Sequence, residues 1–247
     1  MVSQNEIKQF NVSQIILYHL LPGIPILLIA MLCASPTLGF GLPMVLSLMI
    51  SIMLGLIPTQ VIILTLAARR DGIKIKDILG NTEKMPISKT IFWVIPSVII
   101  AVIVFATVSS IEEPLWTVFN WVPNWFRASL GSLDNASRGI VWLTAILGVI
   151  FNGLLGPFVE ELYFRGFLLP RMNLFRKLAP LVNTVLFSVY HLFSPWENIT
   201  RILADTPYIY AVWYKKNIRI GIYVHCGMNT LSMVGVAVLL LSNLTTA

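Results

Sequence analysis

Charged residues and cysteines are scarce in this chain of 247 residues. Aspartate, glutamate, lysine and arginine together make up only 11% of it, whereas soluble domains carry about twice that share. The two cysteines, Cys33 and Cys226, lie far apart in apolar stretches and form no CxxC pair, which argues against a disulfide framework or a zinc knuckle. The N-terminus also lacks the basic region and cleavage site of a signal peptide. Its first apolar stretch is therefore predicted to be a retained membrane span.

Apolar residues dominate the rest of the composition. They account for 57% of the chain, and the mean hydropathy is +0.82. The formal net charge of +6 does not indicate nucleic-acid binding, because basic residues in a membrane protein mostly mark its cytoplasmic loops. The composition predicts a multi-pass protein of the cell membrane. We expect an all-α, polytopic helical bundle with about seven to eight transmembrane helices.

The apolar stretches set the predicted helices. A crossing of the bilayer needs ~20 residues, and several stretches are shorter, so tilting or partial re-entry is expected there. Pro22 and Pro25 are expected to kink the first stretch, which neighbouring helices can tolerate. The segment 111–138 is rich in tryptophan and is interpreted as an interfacial loop. The predicted apolar helices are 15–33, 44–68, 90–110, 139–159, 179–193, 202–214 and 218–244.

Lysine and arginine are distributed unevenly between the two sides of the predicted topology. With a cytoplasmic N-terminus and seven crossings, 14 of these residues fall on the inside and 3 on the outside. The inside residues are Lys8 and those in the segments 69–89, 165–177 and 215–219. Such a bias predicts that the N-terminus is cytoplasmic.

An acidic motif, formed by Glu160, Glu161 and Arg165, follows the fourth apolar stretch. An ionisable residue inside a bilayer is costly and is by default a candidate functional residue. Glu161 and Arg165 are four residues apart, so they can pair on one helix face. The motif also suggests a division of the chain. Residues 1–138 are predicted to hold transmembrane helices without a motif, and residues 139–247 to form the helical core that carries the candidate functional residues, within one membrane domain.

Three candidate residues reach a similar depth in this topology. At 1.5 Å per helical residue, Glu160, His191 and His225 lie in the cytoplasmic half of the membrane on separate helices. His225 shares a helix face with Asn229, four residues later. Glu160 is a candidate general base for a water molecule, and His225 and Asn229 are candidate donors to an oxyanion.

Other interpretations of these residues stay open at this point. The acidic motif can be a structural ion pair, with the histidines packed between helices. Glu160, His191 and His225 can instead be metal ligands, since two histidines and a carboxylate leave a position for a catalytic water. The sequence contains no HExxH zinc helix and no GxSxG elbow. His19 has no ionisable neighbour in its stretch and is predicted to be structural.

Three motifs occur in order in the second half of the chain. They are EExxxR beginning at Glu160, FxxxH beginning at Phe187 and HxxxN beginning at His225. Together they resemble the motifs of the CPBP family, also called the CAAX-protease and bacteriocin-processing or Abi family, which includes the type II CAAX prenyl endopeptidases. In one departure from that family's common pattern, Tyr190 stands before His191 where alanine is common.

The resemblance implies an intramembrane endopeptidase with a helical fold. A glutamate and a histidine activate water in that family, which assigns this role to Glu160 and His191. A second histidine and an asparagine hold the oxyanion, which assigns that role to His225 and Asn229. The acidic–arginine pair of the first motif would order the site. This chemistry requires no cofactor, and zinc stays an alternative because such enzymes are often described as metalloproteases.

The resemblance also limits the expected substrates and partners. Eukaryotic members cleave prenylated CAAX proteins at the cytoplasmic face, and bacterial members act in bacteriocin self-immunity or peptide processing. For this small basic chain we expect a peptide or protein substrate, such as a bacteriocin or a lipidated C-terminus, cleaved near the cytoplasmic side of the lipid bilayer. The competing hypotheses are a non-catalytic membrane immunity or receptor-binding protein and a small proton-coupled transporter.

Overall fold

The protein is a bundle of helices. Its structure, a computed structural model, describes residues 7–127, 133 and 136–246. Within these ranges the only β-type pairing is an isolated antiparallel bridge between Thr82 and Asn217. The predicted all-α bundle is therefore confirmed. The described α-helices are α1 (Val12–Leu20), α2 (Gly23–Ala34), α3 (Met44–Ser51), α4 (Ile57–Arg70), α5 (Ile75–Ile78), α6 (Ile87–Val118), α7 (Arg138–Leu147), α8 (Gly156–Glu160), α9 (Ala179–Val189), α10 (Asn198–Lys215) and α11 (Ile218–Thr246).

Five helical stretches of the described chain are long and apolar enough to cross a membrane. Large apolar side chains on these stretches, such as Leu54, Phe92 and Leu231, are more than half exposed, as suits contact with lipid. Two further helices, α9 and α10, have 11 and 18 residues and are not among the five. The number of crossings therefore stays a prediction. The five stretches are Val12–Ala34, Met44–Arg70, Ile87–Val108, Arg138–Arg171 and Ile218–Leu240.

One predicted helix boundary agrees with the structure, and another does not. The predicted interruption of the first stretch is confirmed at Pro22, which has no N–H to donate and lies between α1 and α2. Pro25 lies inside α2, which continues past it. In contrast, α6 continues to Val118, so the predicted loop 111–138 is wrong in its first part. Glutamate and leucine in that part are good helix formers, whereas the loop was predicted from the tryptophans of the segment. Residues 128–132, 134 and 135 of the same predicted loop lie outside the described ranges.

π-helical segments interrupt two of the spans. Ile52–Leu56 lies in the second span, and Gly148–Leu155 and Glu161–Leu168 lie in the fourth. The fourth span therefore continues through the acidic motif and does not end before it. Such wide turns are rare and often occur at functional sites. Glycine permits close packing here, because a Cβ at Gly153 would lie 3.3 Å from the Cα of Thr230 on α11.

The polar segments that carry most of the lysines and arginines meet at one end of the bundle, which we call the basic end. The Gly80 amide donates to the Gly166 carbonyl at 2.8 Å, and Asn81 Nδ2 donates to the Arg165 carbonyl at 2.9 Å. Lys216 Nζ lies 3.7 Å from a Glu83 carboxylate oxygen. Segments distant in the sequence thus share one surface, as the topology from charge counting requires.

The opposite end is built around Trp196, and we call it the tryptophan end. Trp196 is buried in a cluster with Ala34, Val122 and Phe126. Because α9 runs away from the basic end and α10 returns to it, the connection between them lies at the tryptophan end. The start of α10 is therefore far from the basic segments, and its last turn adjoins them.

Cysteine labelling tests which end faces the cytoplasm. We expect Lys84→Cys, at the basic end, to react with a membrane-impermeant maleimide only after cells are opened, because basic segments stay on the cytoplasmic side. Leu38→Cys, in an 81% exposed position at the tryptophan end, should react in intact cells. Both are made in a background with Cys33 and Cys226 changed to alanine. Labelling of Lys84→Cys in intact cells would reverse the predicted orientation.

Candidate active site

A buried ion pair lies at the centre of the site. Glu161 and Arg165 belong to the π-helical segment Glu161–Leu168, and neither side chain is exposed. Arg165 Nε lies 3.5 Å from Glu161 Oε1, as their spacing predicts. The Tyr208 hydroxyl joins the pair, because it accepts from Arg165 Nη2 at 2.8 Å and donates to Glu161 Oε1 at 3.2 Å. The Phe187 ring centroid lies 3.9 Å from the guanidinium carbon, which is a cation–π contact.

His225 connects the two carboxylates of the acidic motif. Its Nδ1 lies 3.0 Å from Glu161 Oε1, and its Nε2 lies 3.8 Å from Glu160 Oε2. An ionised carboxylate only accepts, so the network assigns a proton to Nδ1 and turns Nε2 towards Glu160. Gly221, one turn earlier on α11, leaves room for this arrangement, since a Cβ there would overlap Glu161 Oε2. Glu161 thus contacts His225 as well as Arg165, a link that the sequence analysis missed.

Glu160 lies at the end of α8 and is only 5% exposed. The hydroxyl of Tyr190 donates to its Oε1, which leaves Oε2 directed towards His225. Tyr190 is fully buried, and its ring packs on Phe164 at 4.9 Å and on Phe187 at 5.4 Å between centroids. The aromatic packing holds the tyrosine rigidly, so its hydroxyl fixes one oxygen of Glu160.

His191 follows the C-terminal end of α9. Its Nδ1 lies 2.9 Å from the Phe187 carbonyl oxygen, which can only accept, so the neutral ring has an unprotonated Nε2. The Phe187 ring meets His191 edge-on, with 5.1 Å between centroids, and also contacts the Arg165 guanidinium. The FxxxH spacing therefore places one aromatic ring between the buried ion pair and the histidine.

Asn229 lies against the π-helical segment Gly148–Leu155. Its Nδ2 donates to the Asn152 carbonyl at 3.1 Å. The next residue of α11, Thr230, donates to the Gly153 carbonyl at 3.0 Å. The bond to Asn152 holds the Asn229 amide with its nitrogen as donor, and the NH2 group keeps a second proton for another acceptor.

The predicted catalytic residues line a single cavity of about 240 Å³. Glu160, His191, His225 and Asn229 all contribute to its wall, although no direct hydrogen bond joins Glu160 to His191 in the described structure. The cavity extends from Glu160 towards Phe193 and the start of α10, so it reaches towards the tryptophan end. Its wall combines acidic, basic and amide groups inside a membrane-spanning bundle. Such polar groups cost free energy in a membrane, so their presence indicates a function.

A comparison with protein families identifies this part of the chain. The family described as type II CAAX prenyl endopeptidase Rce1-like matches residues 141–231, the stretch that carries all three motifs. Residues 141–231 are therefore similar to the CAAX-protease family. The family prediction is thereby confirmed, and the family indicates a membrane-embedded protease. No curated protein and no solved structure matches the chain significantly.

The Rce1-like region also contains polar residues that the sequence analysis missed. Tyr190 was noted only as a departure from the family pattern, and its bond to Glu160 depends on packing that no spacing reveals. Tyr208 and Asp205 line the cavity from α10. The sequence could have indicated these two residues as candidates. Polar residues recur at helical spacing along α10, which is otherwise apolar on its buried side.

His19 lies outside the Rce1-like region and does not line its cavity. Its Nδ1 is 2.7 Å from the Ile15 carbonyl oxygen, and its Nε2 is 3.0 Å from Asn183 Nδ2. Asn183 also donates to the Phe164 carbonyl at 3.2 Å. Both ring nitrogens are thus satisfied in a brace between α1, α9 and the fourth span, as expected for a structural histidine.

The Rce1-like region does not present a metal centre in this arrangement. Among the described residues, no group of three or more histidine, cysteine, aspartate or glutamate side chains is placed to hold a metal ion. In the alternative ligand set, Glu160 accepts a hydrogen bond from Tyr190, and His225 is held by Glu161. These contacts hold the side chains in an arrangement that does not fit a metal ion. A zinc requirement stays an untested alternative.

Removing the buried arginine tests the importance of the ion pair. Arg165→Ala leaves Glu161 without its counter-ion inside the bundle, and breaking a buried pair in this way costs about 3–5 kcal/mol. We expect the free energy of unfolding, measured by denaturation in mixed micelles, to fall by about that amount.

Arg70→Ala is the matched control for this variant. It removes an exposed guanidinium that pairs with Asp71, and exposed pairs contribute less than about 1 kcal/mol. Equal losses of stability in Arg70→Ala and Arg165→Ala would contradict the central role given to the buried pair.

Proposed function

We propose that the protein is an intramembrane endopeptidase that hydrolyses a peptide bond with water activated by Glu160 and His191. The observation that carries the proposal is that Glu160, His191, His225 and Asn229 line one cavity within the membrane-spanning bundle. The similarity of residues 141–231 to a protease family supports it. The proposed oxyanion donors are His225 and Asn229.

The proposed reaction begins with a water molecule held between Glu160 and His191. Glu160 Oε2 takes a proton from the water, whose oxygen forms a bond to the carbonyl carbon of the scissile peptide. Negative charge then develops on the carbonyl oxygen. In the proposed reaction His225 is an imidazolium, with one proton on the Nδ1 that faces Glu161 and a second on Nε2. The Nε2 proton of His225 and the second Nδ2 proton of Asn229 donate to that oxygen.

Collapse of the tetrahedral intermediate completes the proposed reaction. The C–N bond breaks, and the proton taken up by Glu160 passes to the leaving nitrogen, which gives an amine and a carboxylic acid. The acid then transfers its remaining proton to the amine, so the final products are a carboxylate and an ammonium group. Tyr190 and Glu161 do not react. They hold Glu160 and His225 in position through the hydroxyl bond to Glu160 Oε1 and the contact with His225 Nδ1.

The proposed biological role is bacteriocin self-immunity or peptide processing, with a peptide or lipidated protein as substrate. A small cavity inside the membrane suits an extended peptide better than a folded protein. The charge distribution supports an orientation with the basic end in the cytoplasm. We propose that cleavage occurs within the bilayer at the depth of Glu160, near the cytoplasmic side as the depths of the motifs suggest, and that the substrate reaches this depth along the cavity from the tryptophan end. The gene neighbourhood provides an independent check, since short peptides with double-glycine leaders beside this gene would support the immunity role.

Substitution of the water-activating pair tests the proposed chemistry. Glu160→Gln and His191→Ala should each lower the rate of peptide cleavage by a factor of about 10²–10⁴, the usual contribution of general acid–base catalysis. The measurement is turnover of a quenched-fluorescence peptide library by the full-length protein in proteoliposomes. Glu83→Gln, which removes an exposed carboxylate at the basic end, is the control and should retain full activity.

Full immunity or full cleavage by folded, inserted Glu160→Gln and His191→Ala variants would contradict the catalytic proposal and favour a non-catalytic immunity protein. Proton or solute flux into the same liposomes without peptide cleavage would favour a transporter. The same assay after exhaustive chelation tests the metal: we expect activity to persist, whereas loss of activity that added zinc restores would establish a metal requirement.

The hydroxyl of Tyr190 provides a sharper test of how Glu160 is positioned. Tyr190→Phe keeps the packed ring but removes the donor to Glu160 Oε1, so we expect kcat to fall about tenfold, the loss that corresponds to 1.4 kcal/mol, with little change in KM. Tyr163→Phe is the matched control, because the buried Tyr163 hydroxyl donates to the Tyr18 carbonyl at 2.7 Å and does not reach the cavity. An equal fall in kcat for both variants would contradict a specific role for Tyr190.

A further inference from the structure

The cavity contains a carboxylate that the proposed mechanism does not use. Asp205 lies on α10 and lines the cavity together with Glu160 and His225. Its side chain is partly exposed, and within the described chain it has no hydrogen-bond or ion-pair partner. An ionisable group without a partner at this depth is costly and points to a function.

The other carboxylates of the site all have partners. Glu160 accepts from Tyr190. Glu161 pairs with Arg165 and His225. Asp205 therefore differs from its neighbours in having its charge uncompensated by any direct contact.

Arg201, one turn before Asp205 on α10, does not supply the missing contact. Its guanidinium donates to the Ser194 carbonyl at 3.2 Å and to Asn198 Oδ1 at 3.3 Å. It also donates to the Ser194 hydroxyl and to the Glu197 carboxylate. All of these acceptors lie between residues 194 and 198, and no hydrogen bond or ion pair joins the guanidinium to Asp205 in the described structure. Arg201 therefore acts on Asp205 only as a nearby charge and not through a direct contact.

The position of Asp205 along α10 places it between the catalytic residues and the segment 194–198 at the tryptophan end, which we call the rim of the cavity. Glu197, Arg201 and Asp205 are spaced by four residues and share one face of the helix. Asp205 is seven residues beyond Asn198, which is roughly 10 Å deeper at 1.5 Å per residue. Tyr208, three residues further, already contacts the buried ion pair. A chain that occupies the cavity from its rim to Glu160 therefore passes Asp205.

We propose that Asp205 is a binding subsite for a positively charged group of the peptide substrate, the ammonium or guanidinium of a lysine or arginine side chain. This inference rests on the proposed peptidase function. A cation beside Asp205 forms a charge-assisted hydrogen bond and compensates a carboxylate that is otherwise unpaired. The facing wall is apolar, so the preferred substrate has a basic residue with apolar neighbours. The apolar wall residues are Leu48, Met49, Ile52, Leu56 and Phe105.

A binding experiment tests the subsite separately from catalysis. Full-length protein carrying Glu160→Gln is placed in nanodiscs and titrated with fluorescent peptide pools that hold either lysine or norleucine at each position of an otherwise apolar decapeptide. Norleucine matches the length of the lysine stem without its charge. At one or more positions we expect the lysine pool to bind about tenfold more tightly, the preference that one charge-assisted hydrogen bond supplies.

Two variants of Asp205 decide whether this carboxylate causes the preference. Asp205→Asn should reduce it to less than about twofold, and Asp205→Glu, which keeps the charge, should retain most of it. Asp77→Asn, on the short helix α5 outside the cavity, is the distant control and should leave the preference unchanged. Melting temperatures of all variants show whether each one is folded.

The outcomes separate this inference from the proposed function. A lysine preference that survives Asp205→Asn in a folded protein overturns the inference, and so does equal or absent binding of the lysine and norleucine pools by the parent. If the preference depends on Asp205 but the protein with Glu160 intact cleaves none of the pools, the subsite stands and the peptidase proposal fails. Cleavage without a charge preference supports the peptidase proposal and overturns the subsite inference.

Discussion

The buried pair of Glu161 and Arg165 is the constraint on which the rest of the site depends. Moving two charges out of water costs several kcal/mol for each ion, and only good geometry and additional hydrogen bonds offset that cost. Here the compensating groups come from three other helices: Phe187 on α9, Tyr208 on α10 and His225 on α11. The need to satisfy one ion pair therefore fixes how α9, α10 and α11 meet the fourth span. Glu160 precedes the pair by one residue, so its direction is set by the same packing.

The π-helical segments of the fourth span contribute to its contacts with α11. A π-helical turn is wider than an α-helical turn. Asn229 and Thr230 donate to two backbone carbonyls of Gly148–Leu155, so the third motif is anchored to backbone as well as to side chains. Gly221 and Gly153 allow α11 to approach closely enough for these contacts. The same approach brings His225 to both glutamates of the first motif.

Much of this arrangement could be predicted from periodicity, and the remainder could not for identifiable reasons. Spacing of four residues predicts the contact of Glu161 with Arg165 and that of Phe187 with His191, because both depend on one helix alone. The Tyr190–Glu160 bond depends on how α9 packs against α8, which no single-helix pattern encodes. The contact of Asn229 with Asn152 depends on a π-helical turn, whereas the prediction assumed regular α-helices. The length of α6 was missed because its tryptophan-rich end was interpreted as an interfacial loop, although tryptophan at a membrane interface is equally compatible with a helix.

The N-terminal half of the chain, which carries none of the motifs, contributes to the wall of the cavity. The family match begins at residue 141, yet Leu48, Met49, Leu56 and Phe105 from the earlier helices line the cavity opposite the catalytic residues. The matched region provides the charged and hydrogen-bonding groups, and the N-terminal helices provide about half of the apolar wall. Chemistry requires the polar groups to keep fixed positions, but an apolar wall can change its shape while it stays apolar. The N-terminal helices are therefore the part of this protein in which substrate shape can be selected without disturbing the buried ion pair.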